Sequence, residues 1–386
     1  MKIKFSLILI LLLLFLVSLN IVAKDMDSYL DGVYNYYLEN YDLALENFEN
    51  ILAQAPEKDL EVDTLYYQTL TYLGQNRTQM AKSNINQLAE KGYQFGLLYW
   101  KLGKIYLNID STFDSSQYEE ALDMFVKAEN LGITTSQLYR NMASSYKELN
   151  NIGQAIEKYQ LLVQKEDATP GDLINLSNLY QKKGELDEAV NYLEKAVSLV
   201  PDRVSVYLSL GRLLTETGDY QKAVDYFKKG VELNPNYGAM RLKLGESYYN
   251  QDNFREAKQQ FEELLEINRN FYQADFYLGK INFKEGNYNK AVDYYRDAVR
   301  KNTNYARAYI GLGDVYLHQD RIDKAIESYE NAIASNHKNP IAYYHLARVY
   351  YEIGMKDAAL ENVRTALHLN SDYKEAEELY NQLVEE

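Results

Sequence analysis

The chain has 386 residues, no cysteine, and 41 basic against 56 acidic side chains, which gives a formal net charge of −15 at pH 7. The lack of cysteine excludes disulfides, thiolate metal sites and a lipid-modified N-terminal cysteine. The acidity, with no Lys- or Arg-rich run, argues against nucleic acid and anionic lipid surfaces as partners, because both are bound through clustered basic side chains.

Residues 1–23 are predicted to be a signal peptide or a signal anchor. Lys2 and Lys4 precede an apolar run over residues 5–22, and polar residues follow Ala23 directly. A positively charged start before an apolar core is typical of an export signal, and cleavage after Ala23 is one outcome. The run is long for a cleaved signal, so an uncleaved anchor is the other. Both predict an exported chain, either periplasmic or membrane-anchored and facing the periplasm or cell exterior.

From residue 25 onward one pattern recurs, and it is clearest over residues 204–237. This segment is predicted to form two amphipathic helices, because apolar residues recur at three- and four-residue steps on both sides of a break at Thr217-Gly218-Asp219. Its defining residues are Tyr207, Leu210, Gly211, Leu214, Ala223, Phe227 and Pro235. A shift of 34 residues in either direction gives the same pattern, so the chain is predicted to be a repeat array.

The spacing resembles the tetratricopeptide repeat, whose signature W-x2-L-G-x2-Y, A-x3-F and P is matched by those seven residues. Alanine occupies the twentieth position of ten successive units: Ala44, Ala81, Ala121, Ala155, Ala189, Ala223, Ala257, Ala291, Ala325 and Ala359. The eighth position is also small, from Gly32 to Ala347, and small residues at both positions predict a close helix crossing within each unit. The resemblance implies an all-α fold, a right-handed superhelical solenoid of helix-turn-helix repeats.

The register predicts ten units and a C-terminal capping helix. Unit 1 is atypical, with Ser28 and Asp31 at apolar positions, and unit 3 carries six extra residues within 108–117. A polar outer face is expected at the end of an array, where a unit lacks a neighbour. The units are 25–61, 62–95, 96–135, 136–169, 170–203, 204–237, 238–271, 272–305, 306–339 and 340–373, and the capping helix is 374–386.

Two further features recur between and within the units. The junctions contain paired Asn or Asp residues, and the second member of each pair is predicted to cap the next helix. The pairs are Asn234 and Asn236, Asn268 and Asn270, Asn302 and Asn304, and Asn370 and Asp372. Many of the 38 tyrosines fall at the fourth, eleventh and twenty-fourth positions, where their rings are predicted to fill grooves between helices.

The sequence supplies no catalytic, metal or cofactor site. The four histidines lie at different positions of their units and form no ligand spacing. Gly311-Leu312-Gly313 lies inside a predicted helix, unlike a dinucleotide loop, and Ser144-Ser145-Tyr146-Lys147 lacks the companion motifs of an S-x-x-K enzyme. We therefore predict a non-enzymatic protein with no cofactor and no small-molecule substrate.

The resemblance implies that the first helix of each unit lines a concave groove, with positions 2, 5, 9, 12 and 13 facing inward. The fifth position is a mostly apolar stripe, interpreted either as packed core or as an exposed binding surface. It reads Tyr29, Tyr66, Trp100, Arg140, Ile174, Leu208, Leu242, Phe276, Ile310 and Tyr344. Trp100, the only tryptophan, is the best anchor candidate. The lysine–asparagine pair that grips chaperone tails in some family members is missing from every unit.

The ninth position of units 6–10 alternates in charge: Arg212, Glu246, Lys280, Asp314 and Arg348. These side chains are predicted to form either a lateral ladder of ion pairs, which would stabilise stacking only weakly, or the polar floor of the groove. The candidate partner-binding residues are Tyr66, Trp100, Lys104, Arg140, Arg212, Glu246, Lys280, Asp314, Tyr344 and Arg348.

Together these features predict a scaffold that binds a protein partner, as a peptide segment or a folded protein, in the groove of the array. Envelope assembly or secretion would suit such a protein if it is exported. The alternative is an accessory or regulatory subunit that positions an envelope enzyme. Contact with a membrane is predicted only through an N-terminal anchor.

Overall fold

The computed structural model describes residues 23–108 and 115–385. The predicted signal segment up to residue 22, residues 109–114 of the unit 3 insertion, and residue 386 lie outside this part of the chain. The described residues form 21 α-helices and no strand, which confirms the all-α fold. None of these helices is long and apolar enough to cross a membrane.

In chain order the helices are α1 (Ala23–Tyr37), α2 (Tyr41–Ala53), α3 (Lys58–Gly74), α4 (Thr78–Glu90), α5 (Gly96–Asn108), α6 (Ser115–Asn130), α7 (Ser136–Glu148), α8 (Ile152–Gln164), α9 (Pro170–Lys183), α10 (Leu186–Leu199), α11 (Val204–Glu216), α12 (Tyr220–Leu233), α13 (Gly238–Asn250), α14 (Phe254–Ile267), α15 (Tyr272–Lys284), α16 (Tyr288–Lys301), α17 (Ala306–His318), α18 (Ile322–Ser335), α19 (Pro340–Glu352), α20 (Lys356–Leu369) and α21 (Lys374–Glu385).

The odd-numbered helices α1 to α19 are the first helices of the ten units, and the even-numbered ones are the second helices. The helices fall into two compact bodies, Met1–Glu185 and Leu186–Glu386. Within each body every helix packs against the next helix along the chain. Two first helices start before the predicted first residue of their unit: α1 starts at Ala23 rather than at residue 25, and α3 starts at Lys58 rather than at residue 62.

The two helices of a unit cross where the sequence predicts, and in six units a glycine on the first helix makes room for a ring on the second. A Cβ added to Gly211 would lie 2.4 Å from the Phe227 ring, and one added to Gly313 would lie 2.4 Å from the Tyr329 ring. The ten alanines at the twentieth position are fully buried at the same crossings. Small residues therefore bring the backbones together, and the ring fills the space beside the missing Cβ.

Tyrosine rings fill spaces between the helices, as predicted. Tyr207, Tyr316 and Tyr295, at the fourth, eleventh and twenty-fourth positions of their units, are buried. The Tyr295 ring lies between Gly279 of its own unit and Gly311 of the next, and a Cβ at either glycine would come within 2.7 Å of that ring. One tyrosine thus packs within its own unit and against the following one.

The turn between the two helices passes through left-handed backbone at the fifteenth position of nine units, with φ between 56° and 84°. These residues are Glu39, Asn76, Asn150, Gly184, Gly218, Asp252, Gly286, Asp320 and Gly354. Eight of the nine are Gly, Asn or Asp, the residue types that adopt positive φ at least cost. The turn residue therefore follows from backbone geometry.

The predicted N-caps at the junctions are wrong. Helices α13, α15 and α17 start one residue later than those caps require, and the residues that precede them make no side-chain cap. Instead, the side chain of the first member of each pair accepts a hydrogen bond from the backbone of the second. The Asn268 side-chain oxygen, for example, accepts a hydrogen bond from the Asn270 amide at 2.9 Å. The same bond forms at Asn234, Asn302 and Asn370. These Asx turns end one unit rather than begin the next.

Candidate protein-binding face

First helices of neighbouring units lie side by side. Direct contacts join α1, α3 and α5 in one body, and α11, α13, α15, α17 and α19 in the other. Consecutive second helices make no contact of comparable extent within the described chain. We call the surface formed by the first helices the inner face of each body.

The fifth-position stripe is packing rather than an open surface. None of its ten residues is exposed, and four of them, Tyr29, Leu242, Phe276 and Ile310, are buried. Aromatic members pack on the last residue of their own unit, with ring centroids 4.8 to 5.2 Å apart. These pairs are Tyr66 with Phe95, Phe276 with Tyr305, and Tyr344 with Tyr373. The aromatic members of the stripe thus pack against the end of their own unit, and the interpretation as an exposed binding stripe does not fit.

Trp100 and Lys104 lie together on α5. Trp100 is half-buried, its indole Nε1 has no hydrogen-bond partner among the described protein groups, and Lys104 Nζ lies 5.3 Å from the ring centroid. Lys104 also lines a cavity of about 250 Å³ with Lys101. Burial and the charge of Lys104 lower the pKa of Lys101. The described lining of this cavity contains two lysines and no acidic side chain, which suits an anionic group.

Arg140 is occupied inside the protein. Its Nε donates to Asp172 Oδ2 at 2.8 Å, and its guanidinium also donates to the carbonyl of Asp167. Asp172 in turn accepts hydrogen bonds from the amide and the hydroxyl of Thr169, which caps α9. Arg140 therefore links units 4 and 5, which leaves it poorly suited to the predicted partner-binding role.

The ninth-position charges do not form the lateral ladder. Within the described chain, no ion pair of 4.0 Å or less joins two of the five residues. Glu246 pairs with Lys243 on its own helix, and Arg348 Nε lies 3.8 Å from Glu352 Oε1. Lys280 Nζ lies 4.6 Å from the ring centroid of Tyr249. Glu246 and Arg348 thus lie near opposite charges on their own helices, and Lys280 lies near a ring on the preceding first helix.

A cavity of about 430 Å³ lies between α17 and α19 on the inner face of the C-terminal body. It is lined by Phe283, Asp314, Leu317, His318, Asp320, Ile322, His345, Arg348 and Glu352. Asp314 Oδ1 accepts a hydrogen bond from the Tyr329 hydroxyl at 2.7 Å and lies 3.1 Å from His345 Nδ1. Burial and the Asp314 carboxylate raise the pKa of Tyr329, so its hydroxyl stays protonated and donates.

Two histidines that look unrelated in the sequence meet in this cavity. His318 occupies the thirteenth position of unit 9 and His345 the sixth position of unit 10. The sequence could have indicated His318 as a residue of this site, because positions 9, 12 and 13 of a first helix are predicted to face inward together. Among the described residues, no group of three or more His, Cys, Asp or Glu side chains is placed to hold a metal ion.

Comparison with known proteins connects these features to a family. Tetratricopeptide repeat models match residues 172–236, 214–276, 282–328 and 341–373, and a TPR repeat model matches residues 313–354. The crystal structure of a tetratricopeptide repeat protein from Parabacteroides merdae ATCC 43184 has a similar fold, with a TM-score of 0.54 and 19% identity. The match covers 64% of this chain and 98% of that one.

Two curated proteins are also similar in sequence. The DnaJ homolog subfamily C member 7 homolog of Dictyostelium discoideum is 26% identical over 178 residues, 45% of this chain and 27% of that protein. Response regulator aspartate phosphatase A of Bacillus subtilis (strain 168) is 28% identical over 107 residues, 26% of this chain and 28% of that protein. The chain therefore spans little more than a quarter of the length of either relative.

Proposed function

Because the chain belongs to the tetratricopeptide repeat family, we propose that it is a non-enzymatic scaffold whose inner face binds a protein partner. Stacked helical repeats present long surfaces of this kind for protein binding. The partner is a peptide segment or a folded protein, and the setting we propose is envelope assembly or secretion outside the cytoplasm.

One observation carries the binding proposal. First helices of neighbouring units contact each other directly, from α1 to α5 in one body and from α11 to α19 in the other, whereas consecutive second helices in the described chain do not to a comparable extent. Each of these stretches therefore presents a face made of first helices, and exposed charged side chains such as Arg212 lie on it. Stacked repeats use a long surface of this kind to bind other proteins.

Site-specific photo-crosslinking tests which face binds. Arg212 on α11 and Asp225 on α12 belong to the same unit, and both are exposed. A photoreactive residue in place of Arg212 should crosslink the partner in cells, whereas one in place of Asp225 should not. Crosslinks from Asp225 alone would contradict the proposal, and mass spectrometry of the product would show whether the partner is structural or an enzyme.

The proposed location is supported by the N-terminal segment, in which Lys2 and Lys4 precede the apolar run over 5–22. Alkaline phosphatase folds into an active enzyme only outside the cytoplasm. Fused after Glu386, it should be active, and deletion of residues 2–22 should abolish that activity. A reporter that works only in the cytoplasm should be inactive at the same junction, and activity there would contradict export.

A further inference from the structure

We infer that the cavity between α17 and α19 binds the guanidinium of an arginine side chain from the protein partner. The inference rests on the proposed function and names the chemistry of one contact on the inner face. Two features of the cavity support it: its charge and its apolar wall.

The charge of the cavity favours a cation. Three carboxylates line it, those of Asp314, Asp320 and Glu352, against the single guanidinium of Arg348. Arg348 neutralises Glu352 only in part, because the closest approach is 3.8 Å. The hydrogen bond from Tyr329 engages only one oxygen of Asp314. A second cation would therefore enter a site with an excess of negative charge.

The wall of the cavity suits the planar form of that cation. Phe283, Leu317 and Ile322 are half-buried and apolar, and the Phe283 ring lies edge to face with His318 at 5.0 Å. A guanidinium can stack on such rings while its fork of N–H groups reaches carboxylates, whereas an ammonium is a compact and strongly hydrated charge. At about 430 Å³, the cavity has ample room for one arginine side chain.

The four histidines allow a direct test by NMR on the full chain. His318 and His345 line the cavity, whereas His337 and His368 do not. Capped tripeptides with a central arginine, lysine or leucine are titrated at constant pH and ionic strength while the imidazole C–H signals, assigned by single histidine variants, are followed. The arginine peptide should shift His318 and His345 saturably, with a dissociation constant on the order of 1–10 mM, and bind several-fold more tightly than the lysine peptide.

The backbone of the turn supplies a matched pair of variants. Asp320 and Asp252 occupy the same position of their units with φ of 56° and 58°, a conformation that asparagine tolerates well. Asp320→Asn should weaken the arginine peptide about three- to fivefold, because it removes one exposed carboxylate from the cavity. Asp252→Asn, outside the cavity, should leave the affinity unchanged. Asp314→Asn, which keeps an acceptor for Tyr329, should weaken it about tenfold.

Two results would overturn the inference: a leucine peptide that shifts His318 and His345 as strongly as the arginine peptide, or equal shifts of all four histidines. Either could occur while the partner still crosslinks from Arg212, in which case the scaffold proposal stands and the arginine contact falls. If Arg212 gives no crosslink but the arginine peptide still binds specifically, the arginine contact stands and the scaffold proposal fails. The two proposals therefore fail separately.

Discussion

In six of the ten units, a glycine on the first helix and an aromatic ring on the second decide how closely the two helices approach. Phe227 is fully buried, and its ring occupies the position that a Cβ on Gly211 would need. Glycine inside a helix normally weakens it by about 0.5–1 kcal/mol relative to alanine. At this crossing, the clash of an added Cβ with the Phe227 ring would cost more free energy than alanine gains from its higher helix propensity.

Gly211→Ala should therefore destabilise the protein by about 1–3 kcal/mol, because the new Cβ would lie 2.4 Å from the Phe227 ring. Gly153→Ala is the control, since that helical glycine is exposed and a Cβ there would meet nothing within 4 Å. It should leave stability unchanged or raise it by about 0.5 kcal/mol. Urea unfolding measures both, and the same small effect at both sites would contradict the crossing geometry.

At the level of elements, helices are positioned by side chains that reach from one unit into the next. The start of α9 shows this most clearly. Thr169 and Asp172 form a reciprocal capping box, and Arg140 from α7 donates to the same carboxylate oxygen. Asp172 is only 6% exposed, and Arg140 is the basic side chain that pairs with it.

Removal of the arginine should cost more than a surface ion pair does. We expect Arg140→Met to lower the free energy of unfolding by about 2 kcal/mol, because it leaves a buried carboxylate without its cation. Arg212→Met, at an exposed arginine, should change it by less than about 0.5 kcal/mol. In the Arg140→Met background, Asp172→Asn should restore part of the loss. Equal, small effects of both arginine variants would show that the link is not stabilising.

At the scale of the whole molecule, buried tyrosines connect stability to alkaline pH. Burial raises the pKa of Tyr36, Tyr159 and Tyr373 from the ordinary 10.0 to about 12. Between those values the unfolded chain loses phenolic protons that the folded chain keeps. The folded state then binds more protons, so its stability falls as the pH rises.

Urea unfolding midpoints should therefore change little up to about pH 10 and fall steeply between about pH 10 and 12. Phenolate absorbance should rise with unfolding rather than before it. Tyr159→Phe removes one contributing group and should make the fall shallower. A constant midpoint to about pH 11 would show that these rings are not protected by burial.

The sequence by itself determined the repeat register, because the residues that reveal it contact each other within one unit. Gly211, Ala223 and Phe227 meet at a single helix crossing a few turns apart in the chain, so their spacing reports the geometry directly. The residues of the left-handed turns can be predicted from the sequence for the same reason. Local backbone conformation selects Gly, Asn or Asp whatever the rest of the chain does.

Only the tertiary structure decided what the inner face offers to a partner. The fifth position is apolar whether it is packed or open, and it is the ring of Tyr305 from the end of the unit that covers Phe276. The alternating ninth-position charges do not pair with each other, because closer partners such as Lys243 compete for Glu246. His318 and His345 belong to different units and come together only when α17 and α19 stack. Which side chains contact each other depends on distances in space, which a pattern along one chain does not contain.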